Sequence, residues 1–148
     1  MKKFVILCIV VMVVLPLVVL VPGCQPQAES AQEHYAQGKA LLQSGQWEQA
    51  ILEFTKAIDL DPDYREAYSE RAYAYYQKGE YDKALSDSNK IIELNPEDPF
   101  AYFNRGIAYK ALGKKAEALA DFEKCIELSP NSPYAQSAKQ ELEELQGQ

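Results

Sequence analysis

The sequence has few of the residues from which catalytic and metal-binding sites are built. Its 148 residues include one histidine and three cysteines. A single histidine excludes a metal site made of several histidines and leaves little from which a Ser/His/Asp catalytic set could be assembled. We therefore expect no metal, no cofactor and no enzymatic activity.

Basic residues are scarce as well. Lysine and arginine together number 15 against 22 aspartates and glutamates, which gives a formal net charge of −7. A protein that binds the phosphates of nucleic acid needs a basic patch or stripe. The composition therefore predicts no nucleic-acid partner.

Apolar residues are concentrated at the N-terminus. Of the eighteen positions from Phe4 to Val21, seventeen are apolar, and a short basic segment, Met1-Lys-Lys, precedes them. The run ends with Pro-Gly before Cys24. This pattern resembles a bacterial lipoprotein signal peptide with its lipobox. The resemblance implies that 1–23 is removed, that Cys24 receives acyl chains such as palmitate, and that 24–30 form a lipid anchor and tether.

The same run has a second interpretation. Eighteen positions with seventeen apolar residues just reach the length of a membrane-spanning helix, so an uncleaved leader would hold the chain as a transmembrane anchor. Both interpretations predict a membrane at the N-terminus. Both also place the remaining domain in the bacterial cell envelope, facing the periplasm or the cell exterior.

The remaining chain repeats itself every 34 residues. The recurring positions are Pro62, Pro96 and Pro130, then Gly45, Gly79 and Gly113, then Ala50, Ala84 and Ala118. A period this strict indicates a repeat architecture, and these residues resemble the tetratricopeptide repeat, in which two antiparallel helices joined by a tight turn form each unit. The resemblance implies an all-α, right-handed superhelical array of three repeats, 31–64, 65–98 and 99–132, with a capping helix and tail in 133–148.

Each repeat places a small residue in its first helix and a large one in its second. Gly38 and Gly106 let the two helices of the first and third repeats approach closely, while Phe54 and Phe122 supply the apolar surface that joins them. The second repeat has Ser88 where the others have phenylalanine. We therefore expect a packing defect at Ser88.

In tetratricopeptide proteins the first helices of successive repeats line a concave groove, and the resemblance places the candidate binding residues there. They are Tyr35, Lys39, Leu42, Ser69, Tyr73, Tyr76, Phe100, Phe103, Asn104 and Ile107. Large apolar groups beside a few polar ones are typical of interaction sites. The groove lysines, Lys39 and Lys110, balance two glutamates, so we expect a neutral, aromatic groove. Phe100 and Phe103 could equally pack against a neighbouring repeat or the cap.

The best-known ligand mode of this family is a carboxylate clamp that holds the C-terminal tails of chaperones. Lys39 and Asn104 are basic or amide residues at two clamp positions, whereas Tyr35, Glu70 and Phe100 stand at the others. Glu70 has the wrong sign for an acidic ligand. We therefore expect a ligand other than an acidic tail.

The other candidates for chemistry fit the repeat better than a catalytic site. His34 falls at the repeat position of Tyr68 and Tyr102, which indicates core packing, and Cys125 falls where the other repeats have small or aliphatic residues. The acidic residues in 59–70 have the spacing of a calcium-binding loop, but the repeat divides them between two helices.

These observations predict a membrane-anchored scaffold that binds a protein or peptide segment in its groove, in assembly of an envelope complex. The alternative is a structural protein that self-associates, as a homodimer for example, and is held by an uncleaved N-terminal helix.

Overall fold

The computed structural model describes residues 29–147, which are all-α. The described helices are α1 (Ala31–Gln43), α2 (Trp47–Leu60), α3 (Arg65–Gln77), α4 (Tyr81–Leu94), α5 (Pro99–Ala111), α6 (Lys115–Leu128) and α7 (Pro133–Gln146). The predicted leader, 1–23, and Cys24 lie outside the described residues. Within 29–147, no helix has both the length and the apolar composition that crossing a membrane requires.

The helices repeat with the period of the sequence. The helices α1, α3, α5 and α7 begin at positions 31, 65, 99 and 133, which are 34 residues apart. The turn glycines Gly45, Gly79 and Gly113 follow α1, α3 and α5 with φ between 72° and 76°. A residue with a Cβ is strained at such a φ, so glycine lets the chain reverse between the paired helices. The predicted tetratricopeptide-like array is therefore confirmed as the fold.

Prolines end the second helix of each pair. The helix α2 ends at Leu60, and the next residue, Asp61, is extended, with φ −136° and ψ 92°. Pro62 follows it, and a residue before proline is disfavoured in the helical region because the proline ring would clash with it. Asn95 before Pro96 has the same extended geometry. The helix ends thus lie where the sequence predicts them.

The two helices of the first and third repeats approach so closely that glycine is required where they meet. A Cβ built on Gly38 would lie 2.6 Å from Cε1 of Phe54, and one on Gly106 would lie 2.7 Å from Cε1 of Phe122. Both phenylalanine rings are fully buried. A larger residue at either glycine would displace the ring that closes the helix pair.

A buried ion pair, which sequence analysis missed, joins the first and second repeats. Arg71 in α3 donates hydrogen bonds of 2.9 and 2.7 Å to the two carboxylate oxygens of Asp87 in α4. It also donates to Oγ1 of Thr55 in α2, at 3.0 Å. The guanidinium therefore links the second helix of its own repeat to the second helix of the repeat before it.

Arg105 repeats this arrangement one unit later. It donates to both carboxylate oxygens of Asp121 in α6, at 2.7 and 2.8 Å, and to Oδ1 of Asn89 in α4, at 2.7 Å. The hydrogen bonds to Asp121 raise the pKa of the Arg105 guanidinium. Two-pronged arginine–carboxylate contacts of this kind fix orientation as well as charge.

The predicted capping helix, α7, begins in step with the repeats and closes the array. The Ser132 hydroxyl accepts a hydrogen bond of 3.1 Å from the backbone N–H of Ala135, which caps the N-terminus of α7. Nζ of Lys110 in α5 lies 2.6 Å from a carboxylate oxygen of Glu141 and 2.8 Å from one of Glu144. The cap is thus joined to the third repeat by charge as well as by its buried apolar residues.

We predict that Asp121→Ala will destabilise the array far more than Glu123→Ala, its control on the same helix. Removing Asp121, a buried carboxylate, leaves the Arg105 guanidinium without its partner, which costs about 2–3 kcal/mol of unfolding free energy. Glu123 is exposed. Urea unfolding followed by circular dichroism measures both variants, and equal effects would contradict the structural role of the ion pair.

Candidate functional site

A cavity of about 740 Å³ lies between the first helices of the array. Eight of the ten predicted groove residues line it, namely Tyr35, Ser69, Tyr73, Tyr76, Phe100, Phe103, Asn104 and Ile107. They come from α1, α3 and α5, because the 34-residue period brings the same face of each first helix to the same side. The structure therefore gathers side chains that are far apart in the sequence along one groove.

The other two predicted residues, Lys39 and Leu42, lie beside this cavity. They line an adjoining depression of about 320 Å³ together with Trp47 of α2. Glu70 and Tyr73 line both spaces. The depression therefore extends the groove past Tyr73 towards the turn between α1 and α2.

Aromatic rings stand at both ends of the groove. Tyr73 is 49% exposed, and its ring meets the edge of Trp47 with centroids 6.2 Å apart. At the other end, the rings of Phe100 and Tyr134 lie 4.6 Å apart. Exposed aromatic surface in a concave site is typical of protein interaction sites, where such residues supply much of the binding energy.

Tyr134 is a groove residue that sequence analysis missed. It belongs to α7, is 39% exposed and contacts both Phe100 and Phe103, with ring centroids 4.6 and 6.2 Å apart. It lies 34 residues after Phe100, so extending the repeat by one more first helix would have found it. The two interpretations of Phe100 and Phe103 therefore hold together, because both residues pack against the cap and line the groove.

The expectation of a neutral groove is wrong. Lys110 is held by the carboxylates of α7 and does not line the cavity. The charged residues that do line it are Arg65, Glu66, Glu70 and Asp98. One cation faces three carboxylates, so the cavity is acidic. A count over the inner positions could not show this, because the cap neutralises Lys110 and because Arg65 and Asp98 come from the start of the helices.

The acidic charge is strongest near α3. Arg65 lies 3.6 Å from Asp98, and Nζ of Lys39 lies 4.0 Å from Glu70 across exposed surface, where an ion pair is weak. Burial raises the pKa of the Tyr35 hydroxyl, and the nearby Glu70 carboxylate adds to the shift. This part of the groove therefore favours a positively charged group.

Known proteins share both the sequence pattern and the architecture. Family models described as "Tetratricopeptide repeat" and "TPR repeat" match residues 71–143 and 38–79. The first such domain of Spaghetti (RPAP3), solved bound to the HSP90 peptide SRMEEVD, is 32% identical, covers 83% of this chain and 97% of its own, and superposes with a TM-score of 0.74. The chain belongs to the tetratricopeptide repeat family.

Two further tetratricopeptide domains are similar. The second such domain of human RPAP3, in complex with the HSP70 peptide SGPTIEEVD, is 30% identical over 78% of this chain and 94% of its own, with a TM-score of 0.72. The TPR2B domain of yeast Sti1, in a complex with Hsp70, is 26% identical over 79% of this chain and 96% of its own, with a TM-score of 0.75. None of the curated protein sequences matches this one.

The remaining polar candidates are structural parts of the tetratricopeptide array. His34 is buried at the first repeat, as predicted, but its Nδ1 lies 2.6 Å from Glu53 in α2, so the position is a polar contact rather than an apolar one. Cys125 is fully buried beside Phe122 and Ala138. Burial raises the pKa of the Cys125 thiol to about 11, which leaves almost no thiolate at neutral pH.

We predict that Cys125 will resist alkylation in the folded protein. At pH 8, a thiol with its pKa raised to about 11 should react with iodoacetamide at a rate roughly 100-fold below that of an ordinary thiol, because only the thiolate attacks. Peptide mass spectrometry measures the reaction at this one cysteine. Ser86→Cys on the exposed face of α4 is the control, and equal rates at the two sites would contradict the burial of Cys125.

Proposed function

We propose that this protein is a membrane-anchored scaffold that binds an extended or helical segment of a partner protein in its acidic, aromatic groove. The observation that carries this proposal is the cavity of about 740 Å³ between the first helices, with Tyr73 and Tyr134 exposed at its rim. The similar tetratricopeptide domains were solved with peptides, which supports a peptide segment as the ligand. Assembly of a complex in the cell envelope would then be the process that it serves.

The charge of the groove argues for a different ligand from the acidic peptides of those similar domains. The peptides SRMEEVD and SGPTIEEVD both end in acidic residues. Here Glu66, Glu70 and Asp98 line the cavity against Arg65 alone. An acidic tail would meet like charge, which disfavours binding. A segment with apolar and basic residues fits the same surface.

The proposed anchor would place this groove at a membrane. Only Glu29 and Ser30 precede α1 in the described residues, and α1 begins at Ala31. A lipid attached to Cys24 would therefore be separated from α1 by a tether of six residues, 25–30. Holding the groove this close to a bilayer would raise the effective concentration of partners in the same membrane.

Removing the groove tyrosines should abolish partner binding. We predict that Tyr73→Ala combined with Tyr76→Ala will lower crosslinking to partners in intact cells at least about tenfold, because exposed aromatics dominate binding energy. The control is Leu52→Ala combined with Leu60→Ala, which removes the exposed leucines of α2 outside the cavity. Circular dichroism checks that helicity is unchanged, and undiminished crosslinking would reject the groove as the binding site.

The lipid anchor has a separate test. We predict that cells fed radiolabelled palmitate will label the protein, that Cys24→Ser will lose the label and that Cys125→Ser will keep it, since the Cys125 thiol is fully buried. Mass spectrometry of the purified protein should find an N-terminus at acylated Cys24. An intact leader without label would instead support the uncleaved transmembrane helix.

A further inference from the structure

The floor of the groove opens in the second repeat. Ala84 and Ile91 of α4 line the cavity, together with Ser69 and Ala72 of α3. Among the described residues that line it, none comes from α2 or α6, the second helices of the other repeats. Ala72, Ala84 and Ile91 are only 3%, 3% and 1% exposed. The cavity therefore reaches a recess between α3 and α4 that is deep and narrow.

Stacked aromatic rings close the same place in the first repeat. The ring of Phe54 in α2 covers Gly38, and the groove residue Tyr35 lies over Phe54 with ring centroids 5.9 Å apart. Phe54 is fully buried. These two rings fill the space between the paired helices, so the groove has no access to the core of this repeat.

The third repeat is closed in the same way. The ring of Phe122 in α6 covers Gly106, and Phe103 lies over Phe122 with centroids 6.0 Å apart. The two closed repeats thus share one arrangement: a groove aromatic, a buried phenylalanine beneath it and a glycine behind them. This shared arrangement defines what the second repeat lacks.

Both rings are missing from the second repeat. The sequence places Ser69 at the position of Tyr35 and Phe103, and Ser88 at the position of Phe54 and Phe122. Ala72 replaces the glycine, but its one methyl group cannot occupy the space of a phenyl ring. The predicted packing defect at Ser88 is therefore open to the groove.

The recess is suited to an apolar group. The hydroxyl of Ser88 is already satisfied, because it donates a hydrogen bond of 3.0 Å to the backbone oxygen of Ala84. Its other walls are the side chains of Ala72 and Ile91, with Tyr76 and Ile107 beside them on the cavity surface. A ligand group entering here would not have to satisfy Ser88, so apolar burial would drive its binding.

We propose that this recess receives an aromatic side chain of the bound partner segment, which takes the place of the rings that the second repeat lacks. The segment also carries a lysine or arginine next to the aromatic residue, because Glu66 and Glu70 lie one turn apart on α3 beside Ser69. The inference rests on the proposed function, since it names the chemistry of the segment that the groove binds.

The test refills the recess. The variant Ala72→Gly with Ser88→Phe copies the first and third repeats into the second, and the full chain carrying it is compared with the wild type in lipid nanodiscs. A phage library of random peptides is the probe. We expect the wild type to select peptides that share an aromatic residue beside a basic one, and the refilled variant to bind those peptides at least about tenfold more weakly.

A thermodynamic cycle separates the recess from the rest of the groove. Changing the peptide's aromatic residue to alanine should weaken binding to the wild type at least about tenfold and leave binding to the refilled variant almost unchanged, because the two changes remove the same contact. Glu70→Gln should weaken the selected peptides, whereas Glu123→Gln on the outside of α6 should not. Additive effects of the peptide change and the refilling would overturn the proposal.

A second variant protects the test against misfolding. Ser69→Tyr adds the upper ring at the mouth of the recess without altering buried Ser88, and it should also weaken the aromatic peptides at least about tenfold. Circular dichroism and urea unfolding show which variants are folded. If the folded variants bind the selected peptides as the wild type does, the recess is not the anchor site.

The outcomes also separate this inference from the proposed function. Selected peptides that need Tyr73 and Tyr76 but show no aromatic residue would overturn the inference and leave the groove as a binding site. A wild type that selects no peptide would overturn both. A wild-type dimer that becomes monomeric on refilling, seen by light scattering, would show that a second copy fills the recess and would overturn the partner segment as its occupant.

Discussion

The close approach of the two helices within a repeat is the constraint on which the array depends. At Gly38 and Gly106 there is no room for a Cβ, because the rings of Phe54 and Phe122 lie against the backbone. That contact sets the spacing of each helix pair, and the turn glycines and helix-ending prolines are placed to allow it. Since every first helix then presents the same face, the groove follows from the packing rather than from any residue within it.

The fold could be predicted from the sequence because its signals are local. A glycine at φ near 72° or a proline after an extended residue acts on the neighbouring backbone alone, so its position in the sequence is its position in the helix pair. The ion pair of Arg71 with Asp87 is different in kind. Its partners are 16 residues apart on two helices, and only the crossing of those helices decides that they meet.

The groove could be predicted only in part for the same reason. Its wall residues follow from the repeat, and eight of ten line one cavity. Its charge does not follow, because Lys110 is neutralised by α7 and Arg65 and Asp98 enter from the helix starts. The contribution of Tyr134 was missed because α7 lacks the turn glycine and the second helix that mark a repeat, although it begins in step with them.

The second repeat is where the array can best tolerate a missing ring. Its outer helix α4 is held from both sides, since Arg71 of its own repeat binds Asp87 and Arg105 of the next repeat binds Asn89. In a repeat protein, stability is shared between each unit and its neighbours. A middle unit therefore retains two interfaces when its internal packing is weakened. The departures at Ser69 and Ser88 fall in this unit, where apolar space can be left open to the groove at the least cost to the fold.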